Sequence, residues 1–139
     1  MALELEELTE KIIGAAIEVH RQLGPGFLES IYENALVYEL RQRGLQVEQQ
    51  WEVPILYAGN IEVGKHRLDL FVERQIVVDL KTVTDFAPIH FSVVRSQLHA
   101  VQRKHGLLLN FAKIKLEVKR VIHDPHPAPP VSPAFLPSL

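Results

Sequence analysis

Apolar positions along the chain follow two periods, and the change between them divides the sequence. Between residues 3 and 23, Leu5, Leu8, Ile12, Ala15, Ala16, Val19 and Leu23 recur every three or four positions, which is one face of a helix. Gly24-Pro25-Gly26 stops it, because proline breaks the hydrogen-bond ladder and glycine accepts the turn. A second helix is predicted from about Leu28 to Arg43, burying Leu28, Ile31, Tyr32, Ala35, Leu36, Val37 and Leu40, with Gly44 as its C-terminal cap. The period then shortens. Val47 to Tyr57 predicts a strand with Pro54 at an edge or bulge, Ala58-Gly59-Asn60 a turn, and Ile61 to Val72 the returning strand of a hairpin.

Glu73-Arg74-Gln75 makes a tight connection into the run Gln75 to Val83. Its apolar residues Ile76, Val77, Val78, Leu80 and Val83 are mostly β-branched, as in a strand covered on both faces. Asp79 and Lys81 interrupt it. Alternation puts both on one face, about 6.6–6.8 Å apart along the backbone. An acid and a base on a buried face are costly unless they pair or bind something. From this run alone, a structural ion pair and a reactive pair stand level. Beyond the loop Thr84 to Pro88, Ile89 to Lys104 predicts a third helix ended by Gly106. Leu107 to Phe111 is then a short strand apolar enough to be central, and Leu116 to Ile122 a last one. The order α-α-β-β-β-α-β-β predicts an α/β protein with a mixed sheet flanked by helices.

Residues 1–123 carry this patterning and are expected to form one domain. Residues 124–139 hold six of the nine prolines and form a proline-rich tail, extended rather than helical. Its Val131, Phe135, Leu136 and Leu139 suggest packing on the domain or on a second subunit, hence a homo-oligomer. With 47% hydrophobic and 23% charged residues, the 139-residue chain has an ordinary soluble composition. The net charge of −2 conceals an asymmetry: Arg95, Arg103, Lys104, Lys113, Lys115, Lys119 and Arg120 face only Glu117 between residues 95 and 120. That suits an anionic ligand, and equally a solvated basic surface. The absence of cysteine excludes a thiolate zinc site and a cysteine nucleophile. No membrane-spanning run or signal peptide stands out, so a cytoplasmic protein is expected.

Asp69 lies near the end of the strand paired to the interrupted run, so Asp69 and Asp79 can approach if the register allows. Two carboxylates, a backbone carbonyl and waters make a hard-oxygen site for Mg²⁺ or Mn²⁺. Lys81 would orient or help deprotonate an attacking water, a set sufficient for phosphodiester hydrolysis. A surface charge network of Arg67, Asp69, Asp79 and Lys81 is the competing reading. Glu29 falls in the first turn of the second helix, where the helix dipole alone favours a carboxylate. His90 begins the third helix. No HExxH, GxSxG, Walker or GxGxxG motif occurs.

Gly26-Phe27-Leu28-Glu29-Ser30-Ile31-Tyr32 matches the pattern of the GxxExxY proteins, which are grouped with the PD-(D/E)XK nuclease-like superfamily. Gly24-Pro25, Glu33-Asn34-Ala35-Leu36, Arg67-Leu68-Asp69-Leu70, Val78-Asp79-Leu80-Lys81 and Gly106 to Phe111 also resemble that family, in its order, over residues 5 to 122. The resemblance implies a restriction-endonuclease-like core and a metal-dependent nuclease. Asp69, Asp79, Lys81 and Glu29 would be catalytic. Glu29, Asp69, Asp79 and the Leu80 carbonyl would hold Mg²⁺ or Mn²⁺. Tyr32, Glu33, His90 and Gln97 would stand behind them, and Arg67, Arg95, Arg103 and Lys104 would contact DNA or RNA. Aspartate at position 79 replaces the glutamate of many members. The third helix departs further: Val93 takes the place of a glutamine found in relatives, and Gln97 that of a tyrosine. That departure favours the alternative, a catalytically inactive nuclease-fold module that binds nucleic acid or a protein.

Overall fold

The computed structural model describes residues 5–124. The tail beyond, and with it the expected oligomer contact through Val131, Phe135, Leu136 and Leu139, lies outside the described residues. The elements are α1 (Leu5–Leu23), α2 (Glu29–Gln42), β1 (Val47–Tyr57), β2 (Ile61–Val72), β3 (Ile76–Lys81), α3 (Pro88–Val101), β4 (His105–Asn110) and β5 (Glu117–Ile122). They follow the order expected from the pattern. The strands form one mixed sheet in the order β1-β2-β3-β4-β5. Only β3 and β4 run parallel, joined through α3.

Helices α1 and α2 lie on one face of the sheet. Leu8, Ile12, Leu36 and Leu40 bury there against Leu70, Val78, Leu80 and Leu109. On the other face Val94 and Leu98 of α3 pack on Phe71, Val77, Leu108 and Val121. Being covered on both sides, β3 is buried from Ile76 to Leu80, which is why its run is apolar at consecutive positions.

Helix α2 ends as expected: Gly44 takes φ 82°, and the Leu45 and Gly44 amides bond the Leu40 and Arg41 carbonyls, a Schellman closure. The end of α3 differs from the sequence reading. The helix stops at Val101, where Gln102 adopts a left-handed conformation, and Gly106 lies inside β4. Gly106 is a spacer: a Cβ there would come within 2.7 Å of Val94 Cγ1, so its absence lets α3 approach the sheet. Pro54 sits on the edge strand β1 next to a register shift at Ile55/Leu56, which satisfies both options its position offered.

The β1–β2 hairpin turns over partway along its length. Val47 and Leu70 belong to the α1/α2 face, whereas Val53 and Leu68 belong to the α3 face. Unbroken alternation would keep Leu68 with Leu70 and Val47 with Val53. The exchange falls between Gln49 and Trp51 on one strand and between Leu68 and Leu70 on the other. The residues at that step are Gln50 and Asp69, the one pair missing from a register that is constant from Val47/Val72 to Ile55/Gly64. Gln50 has φ 52°, a left-handed backbone unusual for a non-glycine residue. Beyond this step β2 leaves β3, whose ladder with it extends only from Val72/Ile76 to Leu70/Val78. The outer part of the hairpin therefore projects as an arm past the C-terminal end of β3.

Candidate active site

The point where β2 separates from β3 is also where the acids gather. One further step of the β2–β3 register sets Asp69 opposite Asp79. The Leu80 amide, no longer served by a β2 carbonyl, donates to Asp69 Oδ2 at 3.0 Å. Asp69 therefore closes the end of the ladder with its side chain. Asp79 is 4% exposed, and its Oδ1 accepts from Lys81 Nζ at 2.9 Å. Asp79 and Lys81 are thus an ion pair, as the bland reading required, but one with a second acid set against it.

That second acid is under strain of charge. Burial first, then a hydrogen bond with Asp79 and its negative charge, push the Asp69 carboxyl up to about 7, against the pull of the Leu80 amide and Lys81. Glu29, from the first turn of α2, is also raised. Burial is the main cause, and the charges of Asp69 and Glu33 add to it, while Lys81 and the Thr82 backbone oppose it. For Lys81, burial favours the neutral amine, yet hydrogen bonding to Asp79 and the charges of Asp79, Asp69 and Glu29 prevail and raise it. Lys81 is consequently a stable ammonium ion. Glu29, Asp69, Asp79 and Lys81 form one electrostatic cluster at the C-terminal end of β3. Among the described residues, however, no three His, Cys, Asp or Glu side chains converge closely enough to hold a metal ion.

Around this cluster the remaining residues hold backbone. Tyr32 is fully buried, stacks on Phe111 with centroids 4.6 Å apart, and its hydroxyl accepts the Phe27 amide and donates to the Gly24 carbonyl. It staples the Gly24-Pro25-Gly26 turn that delivers Glu29. The carboxylate of Glu33 is bonded by the side-chain amides of Gln49 and Gln50, both at 2.7 Å. His90 Nδ1 accepts the Ala87 amide at 2.9 Å and so caps α3; no hydrogen bond joins it to the acids among the described residues. Gln97 is buried and donates to the Arg67 carbonyl at 3.3 Å, two residues from Asp69, while its Oε1 has no hydrogen-bond partner among the described residues. Sequence reading missed Asn110, wholly buried beside Lys81, whose amide bonds the Val83 carbonyl and the Val83 and Ala112 amides. Its only sequence signal is an amide at the end of an apolar run.

The four basic residues expected on nucleic acid are carried by β2, α3 and the turn before β4. Arg67 stands on the hairpin arm, 3.7 Å from Glu52, and Arg95 on the exposed side of α3. Arg103 and Lys104 precede His105, which pairs with Ile76 at the start of β3. They are thus separated from Lys81 by five residues, about 16 Å of strand. They were neighbours of the site in sequence only through the crossover. A groove of about 410 Å³ between the arm and α3, lined by Val53, Ile55, His66, Ser96 and His99, includes none of the acids. No helix among the described residues is long and apolar enough to cross a membrane.

Comparison with known proteins agrees with this geometry at the level of fold. A family model described as the PD-(D/E)XK nuclease superfamily matches residues 6–121, most of the chain, so the chain belongs to that superfamily. No curated protein matches. Among solved structures it is similar to the crystal structure of SSO0001, with a TM-score of 0.55 and 18% identity, over 70% of this chain and 50% of that one. This chain thus spans half the length of that protein, and at this identity the likeness is one of fold.

Proposed function

With membership of that superfamily as the premise, we propose that the protein is a metal-dependent nuclease that hydrolyses phosphodiester bonds in nucleic acid. One observation carries the reading: the fold presses Asp69 against Asp79, raising the first to about 7, where a structural network would have spaced or paired them. A divalent cation fits that donor set, since Mg²⁺ is commonly bound by one or two carboxylates, with water and substrate oxygens completing its shell. Asp69, Asp79 and the Leu80 carbonyl would hold Mg²⁺ or Mn²⁺. Glu29, which completes no three-acid cluster, would act one layer out. When bound, the metal supplies a Lewis acid and a water of lowered pKa.

The other roles belong to the chain. Lys81, held as an ammonium ion by Asp79, places positive charge beside the scissile phosphate and positions the attacking water, and does not serve as its base. Glu29, raised by burial, is the carboxylate suited to take the proton that the water loses on attack. Arg67 on the projecting arm is the cation best placed for a phosphate contact outside the reacting centre.

The test is cleavage of single- and double-stranded DNA and RNA with Mg²⁺, Mn²⁺ or EDTA. The expected result is metal-dependent cleavage that Asp79→Asn and Asp69→Asn each reduce about 10³-fold or more, as when several kcal/mol of charge stabilisation are withdrawn. Salt-sensitive nucleic-acid binding with no cleavage in either metal would instead identify a non-catalytic member of the fold.

A further inference from the structure

Glu33 is a buried carboxylate, 8% exposed, that makes no ion pair among the described residues. Burying such a group is costly unless its oxygens are satisfied. Here both oxygens are taken by primary amides: Gln49 Nε2 donates to Oε2 and Gln50 Nε2 to Oε1, each at 2.7 Å. Gln49 and Gln50 are adjacent in a strand, where consecutive side chains normally point to opposite faces. They reach one carboxylate because the strand turns over between them, with Gln50 at φ 52°. That conformation is unfavourable for a non-glycine residue and persists only where its surroundings hold it. The turnover lies opposite Asp69, where β2 exchanges faces and leaves β3. It is this departure that leaves the Leu80 amide for the Asp69 carboxylate.

We infer that Glu33 is a positioning residue for the candidate active site: by clamping Gln49 and Gln50 it fixes the left-handed step in β1 that sets Asp69 against Leu80 and Asp79. It touches no reacting atom and acts through the backbone of the hairpin. Glu33 belongs to α2, the helix that also supplies Glu29, so one rigid element sets two of the acids. A glutamine in its place keeps one acceptor oxygen, so one of the two amide donors must turn over or lose its bond, and a leucine offers no acceptor. The role in metal binding rests on the nuclease reading above; the placement of Asp69 does not.

Two measurements on the full chain separate these. Hydrogen exchange at the Leu80 amide reports the Asp69 bond without metal. Glu33→Gln is expected to raise exchange at Leu80 about tenfold while Val77 and Val78 stay protected. Adding Gln50→Gly, which adopts positive φ without steric cost, is expected to restore it. Calorimetry with Mn²⁺ reads the consequence: Glu33→Gln weakens binding about 10–100-fold, the range for outer-shell partners of metal ligands, and the glycine recovers most of it. Unchanged Leu80 exchange in both Glu33→Gln and Glu33→Leu overturns the inference, as does a loss that glycine at position 50 cannot recover, which would mean general destabilisation. If the wild type binds no Mn²⁺ but the exchange pattern holds, the nuclease reading fails and the positioning role stands.

Discussion

The two ends of the parallel pair β3–β4 treat their polar groups in opposite ways. At the start of the strands, Ile76 is sealed in the core, and the charges around it stay in solvent and pair off. Lys104 lies 3.5 Å from Asp124, Arg120 3.4 Å from Glu6, and Arg103 bonds the Arg74 carbonyl at 2.7 Å. Exposed pairs of this kind contribute little and could be lost cheaply. At the other end, Asp79 and Asn110 are buried and two acids are forced together where the sheet opens. Holding like charges there costs stability, and the fold offsets it only in part through Lys81 and the Leu80 amide. Polar groups are resolved at the first end and left poised at the second. The second is where chemistry is to be sought.

The sharpest way to break this contrast is to damage each end in turn. Ile76→Ala should cost about 2–5 kcal/mol of stability, read as a lower urea midpoint, while cleavage per folded molecule stays near wild type. Asp79→Asn should do the reverse, with the large loss of cleavage given above and a much smaller change in midpoint. If both variants lose activity in proportion to stability, the acids are structural and the ends do not differ in kind.

The next effect is smaller and has a definite sign. Asp69 is raised from an ordinary 3.8 to about 7 in the folded protein, so the native state keeps a proton that the unfolded chain releases. This contribution to stability is fully present below about pH 4 and is lost as pH rises through 7. Glu29, also raised, acts in the same direction. In EDTA the wild type should therefore lose about 2 kcal/mol more than Asp69→Asn between pH 5 and 8, after allowance for a cleft open to solvent. Mn²⁺ at pH 8 should restore the difference in the wild type alone. Matching pH profiles for the two proteins would mean that Asp69 is not under this charge strain.

What the sequence revealed, and what it hid, divides along the same line. Helices, strands and their order were legible because burial imposes a period: a helix face every three or four residues, and continuous β-branched residues where β3 is covered twice. In the candidate site, Asp79 and Lys81 were legible as interruptions of that pattern, Asp69 by its place on the neighbouring strand, and Glu29 through the family resemblance. The turnover of the hairpin was not. Left-handed backbone is usually marked by glycine or asparagine, and here it falls on Gln50, held by a carboxylate from a distant helix. Gly106 misled for a related reason. It looks like a helix stop, but its lack of a side chain serves the approach of α3 to β4, a tertiary demand with no local signature. The basic run from Arg95 to Arg120 is dispersed by the same tertiary demands, since a strand and a crossover helix carry its members to different ends of the sheet.

That last point gives the smallest and most discriminating prediction. If charge along the sequence governed nucleic-acid contact, Arg103 and Lys104 would matter as much as Arg67. Their positions argue otherwise. Arg67, in an exposed pair with Glu52, stands on the arm two residues from Asp69, whereas Arg103 and Lys104 lie about 16 Å of strand away. Arg67→Gln should lower the slope of log affinity against log salt by about one, the mark of a single lost phosphate contact. Arg103→Gln with Lys104→Gln should leave that slope unchanged, although two charges are removed rather than one. A drop of about two in the double variant would place nucleic acid across the far end of the sheet. The resolved end would then carry function too, and the contrast between the ends would have to be redrawn.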